Sequence, residues 1–208
     1  MANIDAAFGL RPYKMLGEGA NTNGVSTYKI QLTGTAGTSS VIYEGSPVIP
    51  TDTGLINIVG NANGGTVPLL GVFLGCNYID LLGNPVFDNK WPGTAAVMAN
   101  TEATALVASH PDQLFLINCN AAAADALIHE NANFATATTG NATSGMSAGE
   151  LDVSTADEGS GSDVLNLRII GFEDSPGNDD ATAAGRLAIV MLNNHFYRYS
   201  TNGTNQGI

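Results

Sequence analysis

The sequence predicts a mainly β protein, an antiparallel β-barrel or β-sandwich with one short helix and long polar loops. Three observations lead there. Apolar and polar residues alternate with a period of two in several short runs. Turn signals recur at spacings of roughly 8 to 12 residues, the rhythm of a barrel or sandwich. Gly, Ala, Ser, Thr and Asn fill much of a chain in which 12 % of residues are charged and 44 % hydrophobic. A chain of 208 residues can bury roughly 70 % of its unfolded surface, so no metal or disulfide is needed to hold a core.

The opening MANIDAAFGLRPYKMLGEG lacks the basic start and apolar run of a secretory signal, so an uncleaved, non-exported chain is expected. Gly9 and Pro12 oppose a helix, and Ile4, Phe8 and Leu10 are apolar anchors followed by Arg11 and Lys14. Residues 1–24 therefore read as an N-terminal arm, and 25–208 as a single β domain. The alternative is that Phe8 and Leu10 cover the end of that domain. In VSTYKIQL, Tyr28, Ile30 and Leu32 alternate with Thr27, Lys29 and Gln31, a half-buried strand. VIYEGSPVIP and GLINIVG, split by Thr51 to Gly54, read as a hairpin. PLLGVFLGCNYID is apolar on both faces and reads as a central strand. TAAVMAN, ATALVAS and QLFLIN continue the short strands.

One helix is expected at 121–129, AAAADALIH, with Asn120 as its cap. Residues from about 135 to 162 carry almost no large side chain and read as a polar insertion on the surface. VLNLRIIGF and RLAIVMLNNHFYRY read as antiparallel neighbours, with Leu165, Leu167 and Ile169 facing one way and Asn166 and Arg168 the other. These strands are expected to close the sheet begun near Val25.

Nineteen acidic residues face seven basic ones, a net charge of −12. That disfavours nucleic acid and anionic membranes as partners. The longest apolar run, Leu187 to Leu192, is far short of the roughly 20 residues that span a bilayer. Cys76 and Cys119 sit in apolar runs without metal-ligand spacing and read as buried thiols, a single disulfide being the other option. His110, His129 and His195 have no partner spacing such as HExxH, and no nucleophile elbow or phosphate loop occurs in a suitable context. No catalytic residue, cofactor site or metal site is therefore assigned. Nine acids crowd between Glu150 and Asp180, without the alternation of a 12-residue calcium loop, and read as a solvated acidic face.

The order of framework pieces is ANIDAAFGLRP, EGSPV, LLGVFLGCNYIDLLGNPVFDNKWPG, TGNATSG, IIGFED and NNHFYRY. It resembles small head structural proteins of tailed bacteriophages, especially those of marine bacteria. More distantly, the G-x-P-V turn and L-G-V-F strand look like lambda-type head decoration proteins. The similarity spans nearly the full chain but rests on Gly, Pro and aromatic positions, not reactive ones. It implies a non-enzymatic virion protein, made in the host cytoplasm and placed on the capsid exterior, where it cements the shell. The implied partners are the major capsid protein lattice and further copies of the chain, as a trimer or dimer.

On that reading the docking residues are Ile4, Phe8, Leu10, Arg11 and Lys14 of the arm. Trp91, Tyr197, Arg198 and Tyr199 form a second possible interface, since Tyr, Trp and Arg are enriched at contacts. The alternative is a tail-associated or carbohydrate-binding adhesive module that stacks sugars on Trp91 and the tyrosines.

Overall fold

The computed structural model describes residues 3–17, 25–30, 40–62, 67–156 and 165–198. Two antiparallel sheets stack face to face, and a two-stranded ribbon covers the second. The first sheet runs β1 (Arg11–Met15), β10 (Gln113–Asn118), β14 (Leu187–Leu192), β13 (Leu167–Phe172), β11 (Asn131–Phe134) and β12 (Leu151–Asp152). The second runs β2 (Ser26–Lys29), β9 (Thr104–Ala108), β6 (Gly71–Ile79), β4 (Pro47–Pro50) and β5 (Ile56–Ile58), with β7 (Pro85–Asp88) also paired to β6. The ribbon is β3 (Ile42–Tyr43) with β8 (Lys90–Trp91). Neither sheet closes on itself, so the architecture is a sandwich and not a barrel.

Strand alternation explains the layers. Side chains at paired antiparallel positions share a face. Phe115, Ile117, Ala188, Val190, Leu167, Ile169, Ala132 and Phe134 thus form the inner face of the first sheet. Val72 and Ala108 meet them from the second sheet, with Ile49 and Leu74 packed alongside. On the far side of the second sheet, Val48, Phe73, Cys76, Ala105 and Val107 make another core with Ile42 and Trp91 of the ribbon. At β6, apolar on both faces as expected, one side pairs with β9 and the other with β4 and β7.

The described part of the N-terminal segment, residues 3–17, is packed onto the domain and is not a separate arm. β1 pairs antiparallel with β10, and Leu10 is 1 % exposed in the first core. Backbone hydrogen bonds from Gly9 N to Gly149 O and from Leu10 N to Gly45 O tie it down. Gly9 (φ 74°) and Gly45 (φ 88°) pass so closely that a Cβ on Gly9 would lie 2.6 Å from the Gly45 carbonyl oxygen. Only glycine fits there. Asn3 adds a clamp, its Nδ2 donating to the carbonyls of Asp180, Ala183 and Ala184.

Three further expectations are corrected. At 121–129 there is no α-helix, only a 3-10 turn at Asp125–Leu127. The buried Arg186 guanidinium donates to the Ala123 carbonyl, the acceptor an α-helix would offer to Leu127 N; that N–H bonds Ala124 O instead. TAAVMAN also forms a 3-10 turn, Thr94–Ala96, in place of a strand. The strand near Val25 lies in the second sheet while β14 lies in the first, so the C-terminal strands do not close onto it.

The segment from 135, polar by composition, is packed in part where it is described: Asn141 to Ser144 are exposed, but much of the rest is not. Ala137 and Leu151 are fully buried, and a Cβ on Gly140 would lie 2.4 Å from the Tyr43 ring. The glycines at 140 and 145 reflect lack of room and not solvent exposure.

Candidate functional site

Strand register builds one face that the sequence shows only in pieces. On the outer side of the first sheet, Lys14, Leu114, Met191, Arg168 and Asn131 form a row across five strands. A parallel row holds Arg11, Leu116, Ile189 and Gly171. The register shift between Pro12 and Lys14 lets both Arg11 and Lys14 fall on this face, because Tyr13 is the extra residue of a bulge. Arg11, Lys14 and Arg168 are exposed, Leu116 and Ile189 half-buried, and Leu114 and Met191 buried. Lys14 and Arg168 stand three strand spacings apart, roughly 14 Å, beyond strong mutual repulsion at physiological salt.

All seven basic residues lie within the described segments, and their partners divide them. Lys29 pairs with Glu102, Arg186 with Asp125 and Arg198 with Asp112, while Lys90 donates to the Ala142 carbonyl. The three bases of the outer face have no acidic partner among the described residues. Arg11 lies over the Phe8 ring at 4.6 Å and Lys14 over Tyr13 at 5.3 Å, and Arg168 Nε donates to Asn131 Oδ1 at 3.0 Å. A sheet face with three exposed cations that have no described acidic partner, and with Leu116 and Ile189 half-buried on it, is suited to carboxylates on another protein surface.

The expected docking residues thus divide. Arg11 and Lys14 share the face, Phe8 supports Arg11, Ile4 is 78 % exposed at the segment's start, and Leu10 is core. Arg168 is the member that sequence reasoning missed. Alternation in β13 placed it outward, but nothing local places β13 three strands from β1.

The second expected group does not form one surface. Trp91 is 1 % exposed and packs edge-on against Tyr78 at 5.7 Å, so it is no sugar platform. Its place opposite Ile42 in the ribbon buries it, despite the adjoining Pro-Gly turn. Arg198 is committed to Asp112, and Tyr199 lies outside the described residues. Tyr197 is 55 % exposed and borders a groove of about 350 Å³ with Tyr28, Pro50, Asp52, Leu55 and Phe196. The Tyr28 and Tyr197 hydroxyls are 3.2 Å apart. That hydrogen bond, then burial, pushes the Tyr197 hydroxyl up to about 12.

The remaining chemistry-bearing groups serve the fold. Burial, with Asp88 adding to it, pushes the Cys76 thiol up to about 12, and burial does the same at Cys119. Both are free, buried thiols and poor nucleophiles. Of the six described acids between Glu150 and Asp180, three hold turns: Asp152 accepts from Ser154 N and Oγ, Glu173 from Ser175 Oγ and Asp180 from Thr182 N and Oγ1. Asp157, Glu158 and Asp163 lie outside the described residues. Among the described residues no group of three His, Cys, Asp or Glu could hold a metal ion, and no helix is long and apolar enough to cross a membrane. Comparisons with protein families, with curated proteins and with solved structures find no match for this chain.

Proposed function

We propose that this protein is a virion structural protein that binds the outer surface of a phage capsid and stabilises the shell, docking through the outer face of its first sheet. The observation that carries the reading is the set of exposed bases, Arg11, Lys14 and Arg168, which have no acidic partner among the described residues of a chain of net charge −12. An acidic chain that gathers three of its seven basic residues on one sheet face presents a defined side to an acidic lattice and repels such a lattice over most of its remaining surface. The ordered resemblance of its Gly, Pro and aromatic framework to phage head proteins names the lattice as that of the major capsid protein. A repeated lattice also lets modest single contacts add up to firm attachment, through effective concentration if copies are linked.

Deleting residues 2–14 would remove Leu10 from the core, so charge reversal is the cleaner experiment. Shells stripped of this protein are titrated with wild type and with the triple variant Arg11→Glu, Lys14→Glu, Arg168→Glu. Because all three positions are exposed, circular dichroism and melting temperature should stay near wild type. Shell affinity should fall at least about tenfold, the equivalent of roughly 1.4 kcal/mol. Unchanged saturation of the shells by the triple variant would refute this docking face.

The groove at Tyr197 favours a second reading, an adhesive module that holds a sugar. Aromatic walls suit the apolar face of a pyranose, and Asp52 at its rim suits hydroxyls. Glycan-array binding that disappears in Tyr197→Ala would support it, and an array blank with wild type would dismiss it.

A further inference from the structure

Three segments distant in the chain build the groove of about 350 Å³ beside Tyr197. The β4–β5 turn supplies Thr51, Asp52, Gly54 and Leu55, and β2 supplies Tyr28. The chain leaving the bridge between His195 and Leu69 supplies Phe196 and Tyr197. The turn is closed: Thr51 N donates to Leu55 O at 2.8 Å, Gly54 N donates to Thr51 O at 3.0 Å, and Gly54 takes φ 75°. Asp52 thus stands exposed at a fixed place on the rim. The Phe196 and Tyr197 rings lie 5.4 Å apart and inclined at 65°, two aromatic surfaces of different orientation on one side of the groove.

The hydrogen-bonding capacity of the lining is one-sided. Tyr28 donates its hydroxyl proton to Ser109 Oγ at 3.0 Å, so its oxygen accepts from Tyr197 across the 3.2 Å between them. A phenol has a single proton. Tyr197 therefore keeps none for a ligand and offers it lone pairs only. Backbone N–H groups at Leu70, Phe196 and Tyr197 bond Val48 O, Leu69 O and His195 Nδ1, and Leu55 N bonds Thr51 Oγ1. Asp52 adds a carboxylate, and among the described residues no Lys or Arg lines the groove.

Such a lining selects its occupant by charge and by hydrogen-bond sense. An anion would meet the Asp52 carboxylate on a chain of net charge −12, with the Tyr197 proton already committed. A ligand that carries positive charge and N–H donors gains on every count: the carboxylate and the Tyr197 oxygen accept from it, and the aromatic faces attract a cation. We propose that the groove binds a small organic ammonium ion, its head on the Asp52 carboxylate and its apolar body against the Tyr28, Phe196 and Tyr197 rings. The site differs in chemistry from the sugar reading of the same groove, because a neutral sugar needs no carboxylate. It stands whether or not the basic face of the first sheet binds a capsid.

The probe is phenethylammonium chloride, titrated at neutral pH into the full chain beside its uncharged counterpart phenethyl alcohol and beside glucose, with binding followed by NMR. Wild type should bind the ammonium ion with a Kd on the order of 1 mM or below, and the alcohol at least about tenfold more weakly. Asp52→Asn should erase that preference, and Tyr197→Ala should weaken the ammonium ion about fivefold or more. Both side chains are exposed, so circular dichroism and melting temperature should stay near wild type. No ammonium binding at concentrations on the order of 10 mM, equal affinity for the ammonium ion and the alcohol, or a preference that survives Asp52→Asn would overturn the proposal. Glucose binding that disappears in Tyr197→Ala while the ammonium ion stays blank would also overturn it, and would leave the sugar reading in its place.

Discussion

His195, 3 % exposed, is a residue whose environment makes stability depend on pH. Its Nδ1 accepts from Tyr197 N, which fixes the neutral ring. Burial pulls its pKa down to about 4, helped by the Arg198 cation and His110, while a Ser109 backbone contact and Asp112 pull weakly upward. Above pH 6.5 the ring is neutral in both folded and unfolded chains and costs nothing. Between 6.5 and about 4 only the unfolded chain takes the proton, so stability falls as pH falls, by roughly 3 kcal/mol across the window. Below about 4 both states are protonated and the slope from this group ends. Glu150, raised by burial and by Asp5, acts in the opposite sense. Urea unfolding from pH 7 to 4 should therefore show a decline that is visibly flatter in His195→Gln. Equal slopes would remove His195 as the cause. The sequence marks this histidine only as lacking a motif, because its burial comes from the parallel bridge between His195 and Leu69, far apart in the chain.

At the scale of elements, β1 is where local and tertiary information part. Gly9 and Pro12 rightly exclude a helix, and the segment after them is extended. What pairs with the extended segment is a strand a hundred residues away. The consequence can be measured by unfolding: Leu10→Ala should lose roughly 2–5 kcal/mol as a core cavity, while Ile4→Ala should change stability by no more than about 0.5 kcal/mol. A separate arm would make both substitutions neutral. Period-two alternation made β13 and the exposed Arg168 legible, and the Thr51–Gly54 break marked the β4–β5 hairpin. Alanine propensity failed at 121–129 because a buried arginine from beyond the chain's midpoint takes the Ala123 carbonyl. The small residues at Gly140 and Gly145 read as loop for want of the information that Tyr43 and Asn89 sit against them.

For the whole molecule, charge and layering work together. A net charge of −12 gives copies a mutual repulsion over most of their surface, so the basic face of the first sheet is a side where contact with an acidic surface is least opposed. The proposed shell contact should accordingly weaken with rising salt, since its exposed cations are screened within about 10 Å at 0.1 M. Composition, alternation and turn spacing determined that the chain is an antiparallel β protein with a central apolar strand, because those signals are carried by neighbours in the chain. Tertiary structure alone decided that the sheets stay open as a sandwich, that Leu10 and Trp91 are core, and that Arg168 joins Arg11 and Lys14. Each of those depends on strand order and register, which bring together residues whose separation along the chain encodes nothing about their separation in space.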